Sequence, residues 1–210
     1  MTSMKGNSIN VLIAGVGGQG TVLAGKILGL AAMKAGLDVK QSEIHGMSQR
    51  GGSVVTHIRF GRQIHSPLVM KGSADVILAF EELEALRYFP YLKESGLIIV
   101  NQQQMLPMPV ITGAAQYPVG PVDEMVNRGA KVIALDASGI GLSLGDARAA
   151  NVVLLGVLAS ALPFNEEVWL DSLNESLKPE LISLNLKAFK AGRGIEQAID
   201  SEIWKGPDNQ

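Results

Sequence analysis

The residues of this chain best suited to chemistry gather in two glycine-rich segments. The first runs from Ser42 to Ser53, reading Ser-Glu-Ile-His-Gly-Met-Ser-Gln-Arg-Gly-Gly-Ser, and sets Glu43, His45, Ser48, Gln49 and Arg50 beside Gly51 and Gly52. Arg50 offers a rigid forked donor for a carboxylate or phosphate, Ser48 and Gln49 offer adaptable hydrogen-bonding groups, and the glycine pair lets a ligand approach the backbone. His45 is the one histidine here worth testing for proton chemistry. A polar turn whose glycines only satisfy positive φ is the simpler account, but the density of such groups at the end of a strand favours a site.

The second segment is Gly15-Val-Gly-Gly-Gln-Gly20, a G-x-G-x-x-G turn between a β-branched run and a small-residue helix pattern. Gly15, Gly17, Gly18, Gln19 and Gly20 stand where backbone amides at a helix N-terminus approach an anion or a dinucleotide pyrophosphate. Glu43 lies near the end of the next strand pattern, where a ribose-binding acid would sit, so a stand-alone NAD(P)-binding oxidoreductase is one reading. Turn-making and close packing are the alternative use of the same glycines. Gly20 to Lys26 imitates the start of a P-loop, yet Ile27 replaces the required Ser or Thr and Lys26 falls inside the helix, so ATPase chemistry is rejected.

Other constellations carry less. A two-residue turn at Gly61-Arg62 would pair Ile58 with His65 and leave His57 on the opposite face, and no HExxH spacing occurs, so no metal site is expected. Glu81, Glu82 and Glu84 open a helix pattern, where acids complement the macrodipole. No G-x-S-x-G elbow supports a hydrolase.

The elements that must position these residues follow an α/β rhythm. Ile9 to Ala14 predicts a strand, Thr21 to Ala35 a buried helix closed by Gly36, and Leu37 to Glu43 a second strand, giving a Rossmann-like opening βαβ unit. Ser53 to Phe60 alternates and leads through Gly61-Arg62 into Gln63 to Ser66, predicting a hairpin. Ala74 to Phe80 and Leu97 to Val100 predict buried strands around a helix from Glu81 to Leu92. Pro107 and Pro109 mark a loop or edge before Val110 to Thr112. A short helix spans Asp123 to Arg128, a last core strand Lys131 to Leu135, and helices Ala147 to Leu162, Asn165 to Leu177 and Pro179 to Ala191 complete the chain. The fold expected is a three-layer α/β/α domain over residues 1–210, with a mostly parallel, mixed sheet, a core over about residues 9–192 and a helical C-terminal layer.

Composition narrows the function. The chain has 210 residues, 47% hydrophobic and 18% charged, with a net charge of -2, which provides no footprint for nucleic acid or an anionic membrane. The apolar run from Val152 to Leu158 is far short of the ~20 residues a membrane span needs, and the N-terminus lacks a signal-peptide pattern, so a cytoplasmic protein is expected. The absence of cysteine excludes disulfides and any thiolate-held iron–sulfur cluster on this chain.

The glycine turn, the Ser42 to Ser53 segment, Asn151-Val-Val-Leu-Leu-Gly156 after Gly145-Asp-Ala-Arg148, and Asn185-x-x-Ala-Phe189 occur in an order that resembles the gamma-type subunit of the 2-oxoacid:ferredoxin oxidoreductases. The His-Gly-Met wording looks closest to the indolepyruvate branch. The resemblance implies oxidative decarboxylation of a 2-oxoacid to an acyl-CoA: indolepyruvate or another arylpyruvate, with pyruvate or 2-oxoglutarate as other members of the class. It implies that thiamine diphosphate and iron–sulfur clusters sit on a partner subunit that passes electrons to ferredoxin. This chain would bind no cofactor tightly, and its Gln49-Arg50-Gly51 loop would face the thiamine subunit or help position coenzyme A. A purely structural assembly subunit is the third reading, and the apolar content predicts a hetero-oligomer or, for the chain alone, a homodimer.

Overall fold

Residues 8–46 and 52–196 are described by a computed structural model. Six strands, β1 (Ile9–Val16), β2 (Asp38–His45), β3 (Ser53–Gly61), β4 (Ala74–Ala79), β5 (Leu92–Asn101) and β6 (Lys131–Leu135), form one sheet in the order β2-β3-β1-β4-β5-β6. The β1–β4, β4–β5 and β5–β6 pairs are parallel, whereas β3 runs antiparallel to both neighbours, so the sheet is mostly parallel and mixed.

Period-two alternation decides the layers. Val11, Ile13, Ile58, Phe60, Val76, Leu78, Leu97 and Ile99 point into one core, packed by α1 (Thr21–Lys34), α6 (Ala150–Ala161), α7 (Glu166–Ser176) and α8 (Pro179–Glu196). Leu12, Ala14, Val55, Ile77, Ala79, Ile98 and Val100 point the other way, against α2 (Glu82–Tyr88) and α4 (Pro121–Asn127). That is the expected α/β/α layering with its C-terminal helical layer. Gly25 lets α1 lie close on β3, since a Cβ there would meet Thr56 Cγ2 at 3.1 Å and Ile58 Cδ1 at 3.5 Å.

Several expectations change. The opening unit keeps its chain order and strand direction, but β3 sits between β1 and β2, so the two strands of the βαβ unit are not neighbours as in a dinucleotide fold. The hairpin across Gly61-Arg62 does not form. Ile58 pairs with Val11 on one side and Gln41 on the other, not with His65, and β3 is instead the hairpin partner of β2 from Asp38↔Gly61 to His45↔Val54. With eight partnered positions along each edge, β3 leaves no ladder groups for a third strand.

The helix expected over Glu81 to Leu92 ends at Tyr88 and gives way to a 3₁₀ turn, Phe89–Tyr91, because Pro90 has no N–H to continue the α ladder. β5 accordingly starts at Leu92 rather than Leu97, with a register shift between the Ala74↔Leu92 and Val76↔Leu97 pairs. Val110 and Ile111 lie in a one-turn helix, α3 (Met108–Ile111), whose second residue, Pro109, loses no bond in a first turn. The helix expected from Ala147 begins as a 3₁₀ turn, Ala147–Ala149, before α6. Between β6 and that turn the chain forms α5 (Ala137–Ser143), where the Asp136 carboxylate accepts from Gly139 N–H at 2.7 Å.

Candidate functional site

The glycine turn joins the C-terminal end of β1 to the N-terminus of α1. Gly18 and Gly20 have φ of 100° and 88°, which other residues adopt only with strain. A Cβ on Gly18 would meet open space, whereas one on Gly20 would collide with Asn151 Nδ2 at the start of α6. On Gly15 it would press on Thr21 Cγ2 at 2.9 Å and Phe80 Cβ at 3.1 Å. Two of these glycines therefore serve close packing, and the turn brings the N-termini of α1 and α6 into contact. No side chain caps either helix.

Gln19 turns back across the sheet instead of outward. Its Oε1 accepts from Val16 N–H at 2.7 Å, and its Nε2 donates to Phe80 O at 3.1 Å and Gln103 Oε1 at 3.0 Å. Both donors of the carboxamide are thereby used, so Gln19 holds the turn against the ends of β4 and β5. Asn101, the last residue of β5 and 2% exposed, works beside it: its Oδ1 accepts from Ala137 N–H at 2.9 Å and its Nδ2 donates to Ser138 Oγ at 3.0 Å. These carboxamides fix the carboxyl edge of the parallel strands, where open α/β sheets place their ligands.

The two glycine-rich segments meet at this edge. Gly17 N–H donates to Gly52 O at 2.9 Å, and Gly46 N–H to Ser53 O at 2.8 Å, so the foot of the β2–β3 connection rests on the glycine turn. Ser53 Oγ donates to Glu84 Oε2. Ser48, Gln49, Arg50 and Gly51 lie outside the described residues. Glu43 and His45 are within them but away from the turn, on exposed edge strand β2, where His45 Nε2 is 3.4 Å from Glu43 Oε2. With β3 interposed, Glu43 is not on the strand next to β1, and the ribose-binding geometry expected for NAD(P) is not assembled.

Sequence reasoning did not single out the cleft that opens between the glycine turn and the C-terminal helices, with a volume of about 470 Å³. Gly18, Gln19 and Gly20 line one side, and Asn101, Gln103 and Ser138 a second. Asp146, Arg148 and Asn151 stand opposite, with Leu23, Leu154, Leu177, Leu181 and Leu184 as an apolar wall and Asn185 at its edge. Arg148 is held by Asp146 through Nε at 2.9 Å and Nη2 at 2.7 Å, which keeps the aspartate acidic and the guanidinium basic. The Gly145-to-Gly156 and Asn185 motifs contained these residues, but only packing of α6 and α8 reveals that they converge with Gly20.

The acids that open α2 form the most buried titratable group nearby. Glu81 caps the helix, accepting from Glu84 N–H at 2.9 Å, and its Oε1 accepts from Tyr117 Oη at 2.6 Å and Met105 N–H at 3.0 Å. Glu82 and Glu84 lie in the first turn, where acids complement the macrodipole as their sequence positions suggest, and the bonds of Glu81 also tether the 102–117 segment. Burial raises the Glu84 carboxyl above its ordinary range, against the lowering by Ser53 and Arg87, and burial with the Glu81 carboxylate raises the Tyr117 hydroxyl. Among the described residues no group of three or more His, Asp or Glu could hold a metal ion.

Residues 10–195 match the family described as pyruvate ferredoxin/flavodoxin oxidoreductase. The chain is 42% identical over 190 residues to the indolepyruvate oxidoreductase subunit IorB of Thermococcus kodakarensis, covering 87% of this chain and 93% of that one. It is 41% identical over 197 residues to IorB of Archaeoglobus fulgidus, covering 91% and 96%. Among solved structures, the keto/oxoacid ferredoxin oxidoreductase gamma subunit of Geobacter sulfurreducens superposes with a TM-score of 0.68 at 23% identity, covering 90% of this chain and 99% of that chain, which shows the shared fold. The 2-oxoglutarate:ferredoxin oxidoreductase of Magnetococcus marinus, with 2-oxoglutarate, coenzyme A and succinyl-CoA bound, gives 0.72 at 20% identity, covering 97% of this chain but 33% of that chain. The chain belongs to the pyruvate ferredoxin/flavodoxin oxidoreductase family and is a subunit of a 2-oxoacid:ferredoxin oxidoreductase.

Proposed function

We propose that this chain is the small subunit of an indolepyruvate-type oxidoreductase that converts an aryl-2-oxoacid to its acyl-CoA in the cytoplasm. The observation that carries the reading is the 39–42% identity to four IorB subunits, against 27–28% to relatives named for 2-oxoglutarate and ketoisovalerate. Thiamine diphosphate and iron–sulfur clusters belong to a partner in this reading. The donor set supports the placement of the clusters, since a cluster needs thiolates that this chain lacks.

In the same reading the role of this chain is to complete the partner's site. Ser48, Gln49, Arg50, Gly51 and Gly52 are its candidates for contact with the thiamine subunit or coenzyme A, and Arg50 is the best single anion ligand among them. The contact of Gly17 with Gly52 O supports one continuous surface made by both glycine-rich segments. Co-expression with a cysteine-rich thiamine protein and affinity capture of this chain tests the assignment. A co-purifying complex that reduces ferredoxin faster with indolepyruvate than with pyruvate is expected, and a chain that purifies alone from such cells would refute it. Arg50→Ala should weaken CoA-dependent turnover while leaving assembly intact; unchanged kinetics with CoA would remove Arg50 from that role.

A further inference from the structure

Between the end of β5 and the start of α4 the chain makes a long excursion whose composition departs from the rest of the protein. Residues 102–122 contain no charged side chain, although 18% of the chain is charged. Within them Leu106, Met108, Ile111 and Val119 are 53%, 66%, 61% and 98% exposed, and none of the four packs into either core. Exposed apolar side chains scattered singly are ordinary; four along one uncharged excursion are not. A solvated loop has no reason to shed its charges, whereas the buried centre of a protein interface sheds them and gains methionine and aromatic groups.

The excursion is also held in shape. Glu81, 1% exposed, accepts through the same Oε1 from Met105 N–H at 3.0 Å and from Tyr117 Oη at 2.6 Å, so one buried carboxylate closes the excursion at both ends. Gln104 Nε2 adds a bond to Glu82 Oε2 at 2.9 Å. Inside, Ala115 N–H donates to Pro109 O at 2.9 Å, Thr112 Oγ1 donates to Met108 O at 3.0 Å, and Pro107, Pro109 and Pro118 fix their own φ. Folding has already ordered this backbone, which leaves association a smaller entropic cost.

Two observations say what covers it. Gln19 Nε2 lies 3.3 Å from Met105 Sδ, so the excursion abuts the glycine turn and continues the surface that the proposed function gives to the partner. In addition, the fold is a separate chain here, whereas it makes up 33% of the Magnetococcus marinus enzyme chain and 36% of the ketoisovalerate relative. Contacts that lie within one chain there fall between chains here, and a second copy of this chain does not replace them.

We infer that the 105–119 excursion is the surface on which this chain docks the thiamine-bearing subunit, through an apolar, uncharged face of that subunit. The inference rests on the proposed function for the existence of that partner, and adds where the contact lies.

Capture of the co-expressed complex tests it. Met108→Glu with Ile111→Glu alters two exposed side chains that pack into neither core, so the fold should persist, which circular dichroism checks. The double variant should retain about a tenth or less of the thiamine partner held by the unsubstituted chain, because its carboxylates have to be buried unpaired at the contact. Met33→Glu, 61% exposed on α1 in the opposite layer, should capture the partner as the unsubstituted chain does. Hydrogen exchange on the unsubstituted complex reads the same surface without any substitution, and decides alone if the double variant does not fold: amides across 105–119 should gain protection on assembly, and those around Met33 should not. Undiminished capture by a folded double variant, an equal loss in Met33→Glu, or unprotected amides across 105–119 would each overturn the inference and leave the oxidoreductase reading standing. A double variant that only splits a homodimer into monomers, with capture unchanged, would overturn it by giving the face to a second copy. An unsubstituted chain that captures no thiamine partner would remove the oxidoreductase reading itself and this inference with it, so the two failures are distinct.

Discussion

Gly18 and Gly20 share a left-handed backbone yet differ in what surrounds them, so they separate conformational strain from packing. Alanine at Gly18 meets only the backbone penalty, on the order of 1–2 kcal/mol. Alanine at Gly20 meets the same penalty and also displaces Asn151, adding a further 1–3 kcal/mol of overpacking. Denaturant unfolding of the two variants should place Gly20→Ala clearly below Gly18→Ala, and equal stabilities would show that Asn151 is not held where it stands. The glycine spacing in the sequence announced the turn. It did not announce Asn151, because a lone asparagine in the first turn of a helix carries no periodic signal, and its meeting with Gly20 spans 131 residues of chain.

Helices α6 and α8 set the width of the cleft, and they do so through two glycines. A Cβ on Gly156 would collide with Phe189 O, and one on Gly192 with Val153 O, so the helices cross backbone against backbone. Alanine normally stabilises a helix by about 1 kcal/mol over glycine, and here the sign should reverse. Gly156→Ala and Gly192→Ala are each expected to destabilise by about 1–3 kcal/mol, because neither colliding atom is the end of a flexible side chain. A thermal melt at or above that of the unsubstituted chain would contradict the crossing. At this scale much of the fold was legible. The wholly apolar runs Val11 to Ala14, Val76 to Ala79 and Leu97 to Val100 announced strands, and the small residues of α1 its close approach to the sheet. The partner of β3 was misread because Gly61-Arg62 offers a local turn signal, while the true pairing with β2 closes across residues 46–52 and with β1 across residues 17–52. Local signals name elements; non-local burial chooses their neighbours.

For the whole molecule, two buried groups tie stability to pH with opposite signs. His57, on β3, is 4% exposed and its Nδ1 accepts from Val69 N–H at 3.1 Å beside the ring of Tyr91, and burial lowers its pKa. The unfolded chain therefore takes up this proton first, and stability falls as pH drops below about 6.5, continuing until the folded histidine also protonates. Glu84 acts in reverse. Its raised pKa means that the unfolded carboxyl ionises first, so stability falls as pH rises above about 4.3 and through the folded value. A single profile of the protein blends the two, but a difference profile does not. His57→Gln removes only the histidine titration, and Glu84, on a different element and bonded to Ser53 and Arg87, titrates alike in both proteins. The stability gap between the unsubstituted chain and His57→Gln, measured by urea unfolding, should then be widest near pH 8 and shrink steadily between about pH 6.5 and 5. A gap that stays constant over that interval would mean that His57 is not held neutral, and the acid sensitivity of the chain would have to come from elsewhere.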